Sequence, residues 1–179
     1  MERKKAILLA TGASLLVGAC VLFYNYRKQI KYYSNVLIDR AKLKLVGRTI
    51  NKIIIHCSAT KPNQACTVEL IDQWHRQRGF NSIGYHFVIY QDGTLHEGRA
   101  LSEIGAHCVG QNSDSIGICY VGGLDSNGKA TDTRTEEQRE TLKKVVAELK
   151  EAYGDIPVYG HNEFANKACP CFDVEREFR

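Results

Sequence analysis

Within one short segment of this 179-residue chain, Gly160 to Pro170, an imidazole at His161 and a thiol at Cys169 stand close together, with Lys167 between them. Imidazole nitrogen and thiolate sulfur are the ligands that a borderline-soft Zn²⁺ prefers. A lone His and Cys are more often ordinary core residues. A third candidate, His56, changes that reading because it closes the apolar run Ile53-Ile54-Ile55 far upstream. Two imidazoles and one thiolate leave the fourth tetrahedral position open for water, which is the catalytic rather than the structural arrangement. Zinc lowers the pKa of such a water to about 7. It also polarises a carbonyl, so donors for a developing oxyanion have a use, at roughly 3 kcal/mol each. Tyr85 and Lys167 are the candidates for that work, and Cys171 is an alternative third ligand to Cys169.

Such residues need strands that deliver them to one edge. Ile53-Ile54-Ile55 reads as a buried strand ending at His56. Thr67 caps a helix running to about Arg78, with Glu69 in its first turn and Gly79 as its stop. Tyr85 to Tyr90 reads as a strand, and Asp92-Gly93 turns the chain into a short partner beginning near Leu95. Ser115 to Val121 is a further strand, ended by Gly122-Gly123. Thr135-Glu136-Glu137-Gln138 is a capping box, and Leu142, Val145, Val146 and Leu149 are the apolar stripe behind it. Ile156-Pro157-Val158-Tyr159 is a short strand that delivers His161. This order predicts an α+β fold, a single mixed β-sheet flanked by helices, with binding residues gathered at strand ends. His86 is expected in a core or supporting role, because it alternates with Tyr85. Trp74 is expected in the core, His75 in solvent, and Cys57 turned away from the site.

The net charge of +4 is unevenly placed. Basic residues dominate before residue 50 and acidic ones slightly outnumber them after it, which argues against a nucleic-acid-binding body. Ala6 to Tyr26 carries no charge and is bracketed by Arg3, Lys4, Lys5 and by Arg27, Lys28, Lys31. At about 1.5 Å per residue it matches the ~30 Å hydrocarbon layer, so residues 1–26 are read as a transmembrane anchor or signal segment. Val17-Gly18-Ala19-Cys20 also resembles a lipoprotein cleavage box. Residues 27–49 form a basic helical linker with Ile30, Tyr33, Leu37 and Ala41 at helical spacing, and 50–179 form the catalytic body. The chain ends soon after Cys171, so the sequence predicts no appended wall-binding module, the membrane segment doing the tethering. Seven cysteines in no paired spacing do not make a disulfide framework. A monomer is expected.

The segments Ile55-His56-Cys57-Ser58-Ala59-Thr60-Lys61-Pro62, Gly84-Tyr85-His86-Phe87, Asp92-Gly93-Thr94, Gly105-Ala106-His107, Asn112-Ser113-Asp114-Ser115-Ile116-Gly117, Val121-Gly122-Gly123 and Asn166-Lys167-Ala168-Cys169-Pro170 resemble those of the T7-type phage lysozyme family. These are zinc N-acetylmuramoyl-L-alanine amidases that share the fold of the peptidoglycan recognition proteins. The resemblance runs from about residue 50 to the end and covers none of 1–49. It implies His56, His161 and Cys169 as zinc ligands, preferring Cys169 to Cys171, with Tyr85 and Lys167 as catalytic residues. His107 and Asn112 fall in a segment like the family's substrate groove, where loop-stabilising hydrogen bonds are the competing role. The implied reaction is hydrolysis of the amide between N-acetylmuramic acid and L-alanine of the peptidoglycan stem peptide, outside the cytoplasm, by a membrane-anchored or released enzyme. A non-catalytic recognition protein and a recycling amidase acting on anhydro-muropeptides are the alternatives; Cys169 disfavours both.

Overall fold

Lys52–Cys57 forms strand β1 as the isoleucine run predicts, and it sits near the middle of a five-stranded sheet. The computed structural model describes residue 38, residue 43 and residues 46–179. After β1 come helix α1 (Val68–Gln77), β2 (Phe87–Ile89), β3 (Leu95–Glu97), β4 (Ser115–Tyr120), α2 (Glu136–Tyr153), β5 (Val158–Gly160) and the short α3 (Val174–Phe178). The strand order is β3-β2-β4-β1-β5. Only β3 runs antiparallel to its neighbour, joined to β2 through the Asp92-Gly93 turn. Gly93 takes φ +80°, the left-handed value such a turn requires. The other three pairings are parallel. The fold is therefore α+β, with one mixed sheet between helices.

Parallel strands covered on both faces are apolar on both faces, and β1 is buried along nearly its whole length. On one face Ile53, Ile55, Ile116, Ile118 and Tyr120 pack with Leu142, Val145, Val146 and Leu149 of α2. On the other, Ile71 of α1 packs with Ile83, Val88 and Val121. Both helices start at side-chain caps. The Thr67 hydroxyl accepts from the Leu70 N–H. At α2 the Thr135 hydroxyl accepts from the Gln138 N–H while the Gln138 side chain accepts from the Thr135 N–H. The Gln138 amide, itself buried, then donates to the carbonyls of Ile89 and Val121. The cap thereby fixes α2 to the ends of β2 and β4, at about 1 kcal/mol for the capping bond alone.

The body starts earlier than residue 50. Ile38, Leu43 and Val46 are buried in the α2-side core with Ile50. The Ile38 N–H donates to Glu148 and the Tyr153 hydroxyl to the Leu43 carbonyl. Arg48 donates to the carbonyls of Leu101, Ser113 and Ser115. Val36–Arg179 accordingly forms one compact unit. The end of the predicted linker thus supplies core side chains, because its few apolar residues find the uncovered end of α2. The predicted span 6–26, Cys20 and the helical face Ile30-Tyr33-Leu37-Ala41 lie outside the described residues. Among the described residues no helix is long and apolar enough to cross a membrane.

Candidate metal centre

The β1–β5 register pairs Ile55 with Gly160. The next residue along the chain in each case is a histidine, so His56 near the end of β1 and His161 just past the end of β5 emerge side by side, their ring centroids 4.6 Å apart. His161 opens a 3₁₀ turn, and the chain folds back to bring Cys169 over β1. Three hydrogen bonds hold that return: the Asn162 N–H to the Cys169 carbonyl at 2.7 Å, the Cys57 N–H to Cys169 Sγ at 3.2 Å, and the buried Tyr120 hydroxyl to the Pro170 carbonyl at 2.6 Å. One ligand atom from each of His56, His161 and Cys169 lies within 4.8 Å of the others. Cys169 Sγ is 3.8 Å from His56 Nδ1. Zn–S and Zn–N bonds of about 2.3 and 2.0 Å span separations of that order, so the donor set and its spacing fit one tetrahedral zinc ion. His56 is 1% exposed, while His161 and Cys169 are half-buried. The trio therefore opens to solvent on one side.

Electrostatics favours neutral imidazoles, the form that binds metal. Burial pushes the His56 pKa well down, and the charges of His107, His161 and Lys167 add to it. His161 is lowered by burial and then by Lys167. The Tyr85 ring lies 5.2 Å from the His56 ring. Its phenol is pushed well up, first by burial and then by the thiols of Cys119, Cys169 and Cys57. At neutral pH it is a hydrogen-bond donor and not a base. Lys167 is exposed at the open side, close enough for its charge to act on both imidazoles.

The family of N-acetylmuramoyl-L-alanine amidases matches residues 46–172. The endolysin of Escherichia phage T7 is 44% identical over 124 residues, covering 69% of this chain and 82% of its own. Among solved structures, the endolysin amidase LysCS of Clostridium intestinale superposes with a TM-score of 0.64 at 28% identity, over 74% of this chain and 83% of that one. PGRP-LB of Drosophila gives 0.58 at 26% identity, over 69% and 75%. The chain belongs to the N-acetylmuramoyl-L-alanine amidase family. It is a peptidoglycan hydrolase that cleaves the amide between N-acetylmuramic acid and L-alanine.

Other residues singled out in the sequence take distinct places in this amidase. Cys171 turns away from the imidazoles: its sulfur is 3.7 Å from Cys57 Sγ and donates to the Gly123 carbonyl. His107 is 9% exposed, and its Nδ1 lies 3.0 Å from His56 Nε2. The Asn112 side-chain oxygen accepts from the N–H groups of His107 and Cys108, the loop-stabilising role. His86 is interior, its Nδ1 accepting from the Gly117 N–H and its Nε2 meeting Arg48 and the Glu103 carbonyl. Trp74 is partly buried against the α1-side core.

His75 departs from expectation. It is buried, its Nδ1 accepts from the Gly84 N–H, and its ring packs 5.2 Å from Tyr85. Its helical partner Ile71, one turn earlier, carries it into the core despite polar neighbours. Two contributors went unread in the sequence. Tyr120 anchors the Cys-Pro-Cys segment, and Arg48 clamps the loop before β4. The alternation of β4 put Tyr120 on the α2 face but gave no sign of its hydroxyl's partner. The six described cysteines are free thiols.

Proposed function

We propose that this amidase is zinc-dependent, with His56, His161 and Cys169 holding one Zn²⁺ and Tyr85 and Lys167 serving the scissile amide. The observation that carries this reading is the convergence of two imidazoles and a thiol within 4.8 Å at the open edge of the sheet. Bound zinc supplies Lewis acidity to water and to the amide carbonyl. Tyr85, held protonated, donates a hydrogen bond to the carbonyl oxygen as negative charge grows on it, and Lys167 adds a cation from the solvent side. The buried wall behind His56 keeps that edge of the site dry, where such interactions count for more than in water. Substrate enters from the side on which His161 and Cys169 are exposed. A non-catalytic recognition role is disfavoured by the thiol, which a binding surface for muropeptide does not need.

The body works at the cell wall, in keeping with the phage endolysins it is similar to. Residues 1–26 tether it to a membrane, the uncharged stretch between basic brackets supporting that role, and the catalytic unit acts as a monomer. The test is metal content and reaction product together. The purified chain is expected to carry one zinc and to release stem peptides with a free L-alanine amine from purified walls. Cys169→Ala should lower zinc affinity and turnover. Full turnover by chelated, demonstrably metal-free protein would overturn the proposal.

A further inference from the structure

Behind His56, on the side away from Cys169, stands a second imidazole. His56 Nε2 lies 3.0 Å from His107 Nδ1, and the two rings meet nearly edge-on at 79°. His107 Nε2 in turn lies 3.3 Å from the Ser115 hydroxyl, at the start of β4. His56 and Ser115 are fully enclosed, so this line of polar atoms has no water to fall back on.

Several features of the sequence maintain that one ring position. A Cβ placed on Gly105 or on Gly117 would come 2.5 Å from His107 Cδ2, so both glycines are needed to leave the slot in which the imidazole sits. Asn112 fixes the backbone beneath it through the N–H groups of His107 and Cys108. The Ala106 N–H is held by the Gly84 carbonyl, next to Tyr85. An apolar side chain would fill the same space without any of the polar bonds.

The direction of the hydrogen bonds follows from the ligand geometry. Nδ1 is the nitrogen of His56 that faces Cys169 Sγ. A metal there needs the Nδ1 lone pair, so the ring proton must sit on Nε2. His107 Nδ1 then accepts that proton's hydrogen bond, and His107 Nε2–H donates to Ser115. We propose that His107 is a positioning residue that holds His56 in the Nε2–H tautomer and aims its Nδ1 at the metal. This rests on the zinc reading above. A metal-bound histidine works best when its second nitrogen is anchored, and loss of such an anchor typically costs about 10–100-fold in metal affinity.

Zinc affinity by chelator competition, and the visible spectrum of the Co²⁺-substituted full chain, test this. Histidine-selective ¹⁵N NMR of the zinc-loaded wild type gives the His56 tautomer without any substitution. The expected results are weakening of about 10–100-fold in His107→Ala, with a shifted Co²⁺ band and an intact fold. His107→Gln should recover most of the affinity, because its amide can accept from His56 and donate to Ser115. The His56 proton should be found on Nε2. Wild-type affinity and spectrum in folded His107→Ala would overturn the inference, as would ligation through His56 Nε2. If His107→Ala fails to fold, the tautomer decides alone. Absence of stoichiometric zinc in the wild type would instead overturn the metal reading itself.

Discussion

Replacing Tyr85 with Phe removes a hydroxyl and almost nothing else. The ring lies between His56 and His75, 5.2 Å from each between centroids, and phenylalanine preserves both contacts. Folding stability should therefore move by less than about 1 kcal/mol. Zinc content should be unchanged, because the converging ligand atoms belong to His56, His161 and Cys169. What is lost is a donor that burial keeps protonated at neutral pH. Removing one such donor costs about 2.7–4 kcal/mol, or roughly 10²–10³ in kcat. A bond that strengthens only as charge develops on the carbonyl oxygen contributes little to substrate binding, so the loss should fall on kcat and leave KM nearly unmoved. The assay is release of L-alanine-terminated stem peptide from a soluble muramyl peptide. Zinc content and thermal melting are read on the same preparation. A kcat within about fivefold of the parent, under about 1 kcal/mol, would refute the donor role. A folded variant depleted of zinc would show that Tyr85 acts by shaping the metal centre.

The described core also says where truncation should fail. Ile38, Leu43 and Val46 are at most 4% exposed, and burial of such side chains contributes about 1.5–3 kcal/mol each. Deleting residues 1–46 forfeits about 5–9 kcal/mol, comparable with a whole domain's stability. Deleting 1–35 should leave a folded, active enzyme released from membranes, as melting and fractionation would show; equal melting of both truncations would contradict this. Tyr120→Phe strands the Pro170 carbonyl, at a cost of about 1–3 kcal/mol, and should lower both the melting temperature and zinc affinity, since its hydroxyl holds the segment bearing Cys169. Acid should weaken the chelator-treated protein. Burial holds the His86 pKa down to about 4, with Arg48 and Arg99 adding to the effect against the Glu103 carbonyl, while the unfolded chain binds that proton near 6.5. The stability His86 contributes as a neutral ring is thus complete above pH ~6.5 and drains away toward pH 4, by about 2 kcal/mol at pH 5. His75, also near 4, acts in the same direction. Equal urea midpoints at pH 7 and pH 5 would refute this.

Elements whose signals are local were legible. The isoleucine run, the capping box at Thr135, the Asp-Gly turn and the stripe of α2 each need only neighbours along the chain, and each formed where its pattern put it. His56 and His161 were legible as strand-end residues. Their adjacency is a matter of strand order, because β5 pairs with β1 across a hundred residues of intervening chain. His107 shows the same limit: nothing in its spacing to His56 marks it as a partner, and only β4 between them brings the rings together. The start of the body was masked for a different reason. Basic residues dominate the stretch before residue 50, and an average over charge hides a few apolar anchors that suffice to cover one end of a helix. His75 was misread from its polar neighbours, although its spacing of one helical turn from Ile71 carried the information.

Cys169 and Cys171 illustrate how neighbouring thiols acquire different chemistry. A metal requires thiolate, so the useful cysteine is the one whose sulfur reaches the other ligands. Cys169 Sγ receives the Cys57 N–H at 3.2 Å and faces two imidazoles, with the Lys167 ammonium nearby. Cys171 Sγ instead donates to the Gly123 carbonyl, beside the Cys57 sulfur. Burial and then Cys57 push its pKa up to about 12, so it stays a thiol. Placement sorts them: Cys169 Sγ lies with His56 and His161, whereas Cys171 Sγ lies against Cys57 and Gly123. The sheet edge that gathers the histidines therefore also selects which cysteine can join them.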